Sequence, residues 1–218
     1  MEVTGIRFLE KILDASPVVL YGEKGVGKTS FLVALARFLG GRRNGRVFLI
    51  LRESLGDFDF KDVAIIHVPE NAGIDFYLQC IRDIIKEAMG SSNGMRTCHG
   101  GRLSILIDDV LPRELLLAKI SDLRVASLLR GVLFLGKILS DVAGAVFIVS
   151  TIENIRRAYP FKAKYFLRYG FNLLRLERIS RVRRLCLMRL ARRGGRLVYL
   201  DKTCVKAMQV GGRFVFFE

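Results

Sequence analysis

The chain opens with apolar residues at helical spacing. Ile6, Leu9 and Leu13 share one side of the segment from Gly5 to Asp14, which predicts a short amphipathic helix. A continuous apolar run, Pro17-Val18-Val19-Leu20-Tyr21, then reads as a buried strand. After a glycine-rich turn, the spacing predicts a helix over Lys28 to Leu39, stopped by Gly40-Gly41. Arg46 to Leu51, Val63 to Val68, Leu103 to Ile107 and Ala145 to Val149 read as further apolar strands. Between them, Ile74, Leu78, Ile81, Ile85 and Met89 predict a helix, and Gly90 to Gly101 reads as a loop. Arg113 to Ser140 reads as mostly helical, with an interruption expected near Gly131 or Gly136.

Strands alternating with helices predict an α/β fold built on a mostly parallel sheet with helices on both faces. The pattern changes after residue 170. Phe171 to Glu177, Val182 to Leu190, Arg196 to Leu200 and Phe214 to Phe217 read as strands joined by short turns. That is an antiparallel C-terminal strand meander on the sheet edge. No repeat, low-complexity tract or linker divides the chain, so residues 1–218 are expected to form a single domain.

Composition narrows the class. The 218 residues are 51% hydrophobic, and the mean hydropathy of +0.30 excludes general disorder. The most apolar long stretch, Ala126 to Thr151, is broken by Arg130, Lys137 and Asp141, so no membrane span is expected. The first residues lack the pattern of a signal peptide, and a cytoplasmic protein is expected. Cys80, Cys98, Cys186 and Cys204 make no CxxC pair and are expected to be buried or loop thiols in a reducing compartment.

Charge is distributed unevenly. The formal net charge is +15, yet residues 1–150 hold 19 basic and 17 acidic side chains, and residues 151–218 hold 17 and 4. Arginine outnumbers lysine 25 to 11, which suits bidentate contact with phosphates. A polyanion surface in the last third is one reading; a solvated face or a subunit contact is the other.

The sharpest motif is Gly22-Glu23-Lys24-Gly25-Val26-Gly27-Lys28-Thr29, which matches GxxxxGK[ST] in full and is followed by Ser30. It lies between a predicted buried strand and a predicted helix, where backbone amides and a helix N-terminus can cradle phosphates. The chemistry calls for ATP and Mg²⁺, with Lys28 on the β- and γ-phosphates and the Thr29 hydroxyl on the metal. The apolar strand Leu103 to Ile107 ends in Asp108-Asp109, a Walker B pattern. Asp108 is expected to hold Mg²⁺ through water. Glu53, just past the second strand, is placed to activate the attacking water; a surface glutamate is the alternative.

The order of these parts resembles the RecA-like P-loop ATPases, in particular the small archaeal-type recombinase paralogues of the RadA, RadB and KaiC-like group. The resemblance covers roughly residues 15–218. It rests on the phosphate loop, on Arg46 to Ile50 followed by Glu53, on Ser104 to Asp108, and on Phe171 to Glu177 with the later strands. It implies that Glu53 is the catalytic base. The chain starts almost directly at the ATPase core, so the family's N-terminal DNA-binding domain and polymerisation linker are expected to be missing. Ser150-Thr151 stands where the family has Asn-Gln. Phe31-Leu32-Val33-Ala34 fits the family's FxxA docking pattern, but its place inside a helix reads as core packing.

Asn154 to Gly170 interleaves basic and aromatic residues, at the position of the family's second DNA-binding loop. Arg156, Arg157, Lys162, Lys164 and Arg168 would neutralise phosphates, while Tyr159, Tyr165 and their aromatic neighbours would stack on bases. An amphipathic helix packing its aromatics on the core is the alternative. The expected function is an ATP-binding accessory factor in homologous recombination and DNA repair. It would bind single-stranded DNA, turn over ATP weakly, form a small oligomer and partner a recombinase or another RecA-like paralogue. A KaiC-like signalling ATPase without nucleic acid, or a nucleotide-binding scaffold without turnover, are the alternatives.

Overall fold

The computed structural model describes residues 3–42, 45–52, 62–90, 102–110, 123–152, 166–194, 196–210 and 213–217. In chain order the elements are α1 (Val3–Asp14), β1 (Val18–Gly22), α2 (Lys28–Gly40), β2 (Arg46–Leu51), β3 (Val63–His67), α3 (Ile74–Gly90) and β4 (Leu103–Ile107). They continue with α4 (Leu123–Ala143), β5 (Val146–Ile152), β6 (Asn172–Ile179), β7 (Val182–Arg193), β8 (Arg196–Val210) and β9 (Arg213–Phe217).

The strands form one nine-stranded sheet in the order β3-β2-β4-β5-β1-β6-β7-β8-β9. The first six in that order pair parallel, and β6 to β9 pair antiparallel. Strands β1, β2, β4 and β5 read as near-continuous apolar runs because both of their faces are covered. On one side α1 and α2 bury Phe8, Ile12, Phe31 and Leu35 against Leu20, Leu49, Ile148 and Leu174. On the other side α3 and α4 bury Tyr77, Ile81 and Leu133 against Val19, Ile107 and Phe147. Phe31 meets Phe214 edge-to-face with centroids 5.5 Å apart, so the FxxA-like segment packs in the core.

Three expectations change. Helix α4 runs without a break through Gly131 and Gly136. Gly136 lies so close to the Phe147 ring that a Cβ there would overlap it. The close helix–sheet approach offsets the roughly 1 kcal/mol cost of a mid-helix glycine. Strand β8 continues ten residues past Leu200, to Val210. Its second half alternates Thr203, Val205 and Ala207 toward the core with Lys202, Cys204 and Lys206 on the other face, so its polar content hides a strand. Cys186 and Cys204 sit directly opposite each other on β7 and β8 and form a disulfide, not two thiols. Cys80 is a buried free thiol, as expected, and Cys98 lies outside the described residues. So do residues 91–101 of the predicted loop and residues 113–122 of the long predicted helix.

Candidate functional site

The site lies at the C-terminal edge of the parallel strands, where β1, β4 and β5 end side by side. Strand β1 delivers Gly22, packed so tightly that a Cβ would run into the Leu176 carbonyl oxygen on β6. The chain then turns through Gly25 at φ 75° and Gly27 at φ 102°, left-handed conformations that glycine adopts freely. Helix α2 starts at once, its first bond running from Phe31 N to Gly27 O at 2.9 Å. Gly27 supplies no side-chain cap, so the first amides of α2 are left for an external anion.

Lys28 is only 8% exposed. Its Nζ donates to the backbone oxygens of Gly22 at 3.0 Å and Glu23 at 2.9 Å. Burial pushes its pKa down, against the pull of Asp109 and Asp108. A buried ammonium held by two neutral carbonyls is ready to exchange them for anionic oxygens. Glu23, Lys24 and Gly25 are exposed, while Val26 turns its side chain into the core.

Asp108 is 4% exposed and anchored from two strands and a helix. Its backbone N–H donates to Ile50 O at 2.8 Å. The Thr29 hydroxyl donates to Oδ2 at 2.8 Å, and the Ser150 hydroxyl donates to Oδ1 at 2.7 Å. Ser150 Oγ also accepts from Asp109 N at 2.8 Å, and Ser150 O accepts from Val110 N at 3.0 Å. The Thr151 hydroxyl is buried with no hydrogen-bond partner among the described residues. Beside this set, Tyr77 OH donates to the Asp109 carbonyl at 3.2 Å and accepts from Arg52 Nε at 2.9 Å, while Arg52 Nη2 reaches Ala72 O at 2.9 Å. Burial pushes the Tyr77 phenol up to about 12, with Arg52 opposing.

A hydroxyl and a carboxylate joined at the phosphate loop are hard oxygen donors, the set that suits Mg²⁺. The residues therefore fit both groups the motif calls for: the loop amides, Lys28 and Ser30 for the phosphates, Thr29 and Asp108 for the metal.

The structure thus brings Gly22 to Ser30 and Asp108 together. Glu53 lies outside the described residues, one position beyond Arg52. Arg156, Arg157, Tyr159, Lys162, Lys164 and Tyr165 also lie outside them. Arg168 is described and exposed. Phe166 is fully buried against Phe171, with centroids 6.1 Å apart, so core packing is the right reading for that aromatic. Sequence reasoning missed four participants: Ser150 as the clamp on Asp108, Tyr77 and its partner Arg52, and Arg183, whose Nε donates to Val26 O at 2.8 Å. Only Ser150 had a local signal, a polar residue directly after the apolar run Ala145 to Val149.

No protein-family model matches the sequence, and no curated protein matches it significantly. Solved structures do. The ATPase domain of G40P is similar with a TM-score of 0.59 at 13% identity, over 92% of this chain and 84% of that one. A DnaB-like replicative helicase, solved with its interactions with primase, is similar with a TM-score of 0.57 at 13% identity, over 91% of this chain. The chain spans about half the length of that helicase, 56%. At this identity the likeness establishes the fold alone: a nine-stranded mixed sheet, parallel and then antiparallel, of RecA-like type.

Proposed function

We propose that this chain is a Mg²⁺-ATP-binding, weakly hydrolysing RecA-like ATPase of the RadA, RadB and KaiC-like group. It serves as an accessory factor in homologous recombination and DNA repair, beside a recombinase or another paralogue. The observation that carries the nucleotide reading is the Lys28–Thr29–Asp108 arrangement. A buried ammonium, a hydroxyl and a carboxylate meet at a glycine turn whose helix amides have no side-chain cap.

In this reading Lys28 leaves the Gly22 and Glu23 carbonyls for the β- and γ-phosphates, and the amides of the loop orient the chain of phosphates. Thr29 and Asp108 would hold Mg²⁺, which when bound neutralises phosphate charge. Ser150 keeps the Asp108 carboxylate aimed at Thr29. Glu53 takes the proton of the attacking water. Turnover is slow because the Ser150 hydroxyl is committed to Asp108 and Asp109, and no long amide stands there to couple distant sites to the γ-phosphate.

Support for the DNA arm is the charge of residues 151–218, 17 basic against 4 acidic, with interleaved aromatics. Titration calorimetry with Mg²⁺-ATP tests the nucleotide site: Lys28→Ala abolishes measurable binding, whereas Glu53→Gln retains it and loses hydrolysis. Unchanged affinity in Lys28→Ala refutes the assignment.

A further inference from the structure

Strands β7 to β9 are packed on one face only. Leu185, Leu187, Val205, Ala207, Phe214 and Phe216 turn to the first core, where α1 and α2 reach β8 and β9. On the opposite face, apart from Met188, Leu190 and the buried Cys186, side chains stand in the open. Arg184 on β7 lies directly opposite Lys206 on β8, and both are exposed. Like charges facing across an antiparallel pair repel, and an anion lying over both would relieve that repulsion. Arg175 shares the face as the partner of Cys186, and Lys202 as the partner of Met188. The carboxylate among them, Glu177, pairs with both Arg175 and Arg184. Cations thus outnumber carboxylates on this face among the described residues, which makes it a basic surface.

It is also apolar between the charges. Tyr199, opposite Leu190, is 53% exposed, Met208 42% and Val215 46%. The Cys186–Cys204 disulfide fixes the strands beneath them. Fixed cations select a polyanion, and exposed ring and aliphatic surface suits unpaired bases, which a duplex keeps stacked inside.

We propose that this bare face of β7–β8–β9 binds a single-stranded nucleic acid, with Arg184, Lys202 and Lys206 on phosphates and Tyr199 under a base. The proposal rests on the nucleic-acid arm of the reading above and assigns it a further set of residues.

The test is fluorescence anisotropy of a labelled oligothymidylate across a salt series, with ATP affinity measured in parallel. Arg184→Glu/Lys206→Glu is expected to weaken binding at least tenfold and to flatten the log–log salt slope by about 0.7 for each phosphate no longer neutralised. Tyr199→Ala is expected to weaken it about 5- to 150-fold, the equivalent of about 1–3 kcal/mol per stacked base. ATP affinity stays at the wild-type value in both, which also reports that they fold. If the wild type binds and Arg184→Glu/Lys206→Glu binds as well, this surface is wrong while the broader reading stands. If the wild type binds no oligonucleotide at low salt, both fall. Equal capture of polyglutamate by the wild type, abolished in the same variant, would instead make the face an acidic-peptide site and overturn the proposal.

Discussion

Arg183 on β7 donates its Nε–H to the carbonyl of Val26 at 2.8 Å, so the antiparallel extension holds the phosphate loop from the side. A Cβ at Gly27 would lie 3.5 Å from Gln209 Oε1 and 3.9 Å from Arg183 Nε, which places β8 at the same spot. Burial lowers the guanidinium pKa, and the charge of Arg178 lowers it further. The meander that gives the chain its basic character thus also braces its nucleotide loop.

Arg183→Ala leaves the Val26 carbonyl without its donor and lets the loop relax. The residue is half-buried, so the effect belongs with an ordinary hydrogen bond rather than a fully charged one, about 1 kcal/mol, or roughly fivefold in ATP affinity. Calorimetry checks it. An unchanged affinity would mean that the loop keeps its shape without β7.

Ser150→Ala removes a donor from Asp108 Oδ1 and an acceptor from Asp109 N, both in a buried setting. The expected loss of stability is about 1–3 kcal/mol, read from denaturant midpoints. ATP hydrolysis should fall more than ATP binding, since the carboxylate loses its aim but Lys28 and the loop amides are untouched.

The first two glycines of the loop separate two kinds of constraint. Gly25 has open space around it and φ 75°, so Gly25→Ala costs only backbone strain, about 1–2 kcal/mol. Gly22 has no room, because its Cβ would meet the Leu176 carbonyl oxygen on the adjacent strand. Gly22→Ala is therefore expected to destabilise more than Gly25→Ala in thermal melts, and the reverse order would contradict the packing of β1 on β6.

What could be read from the chain was local. Val18 to Tyr21, Arg46 to Leu51 and Leu103 to Ile107 announce themselves because strands covered on both faces are apolar at nearly every position. Gly22 to Thr29 is legible because one short stretch supplies the turn, the lysine and the hydroxyl. What escaped depends on partners far away in sequence. Strand β8 beyond Leu200 alternates polar and apolar residues because only one of its faces is packed. The Cys186–Cys204 bond depends on hairpin register across a bulge at Arg189 and Leu190. Ser150 meets Asp108 only because β5 lies beside β4, an adjacency that spacing along the chain does not reveal.

Tyr77 makes the last prediction, which concerns pH. It is fully buried, with its hydroxyl held between Arg52 and the Asp109 carbonyl. Burial pushes its phenol up to about 12, whereas an unfolded tyrosine titrates near about 10. Between those values the folded chain keeps a proton that the unfolded chain has lost, so the free energy of unfolding falls as pH rises. At about pH 11 this loss amounts to about 1.4 kcal/mol. Below about pH 10 the phenol is neutral in both states and contributes no slope. Tyr77→Phe abolishes the titration but also breaks both hydrogen bonds, which costs about 1–3 kcal/mol near neutral pH. The variant should therefore be clearly less stable than the wild type near neutral pH, and the gap should narrow toward pH 11. Urea midpoints for the two proteins at both pH values measure this, and every other titrating group is common to the pair. A gap that stays constant, or widens, would show that the Tyr77 phenol is not held neutral in the folded chain.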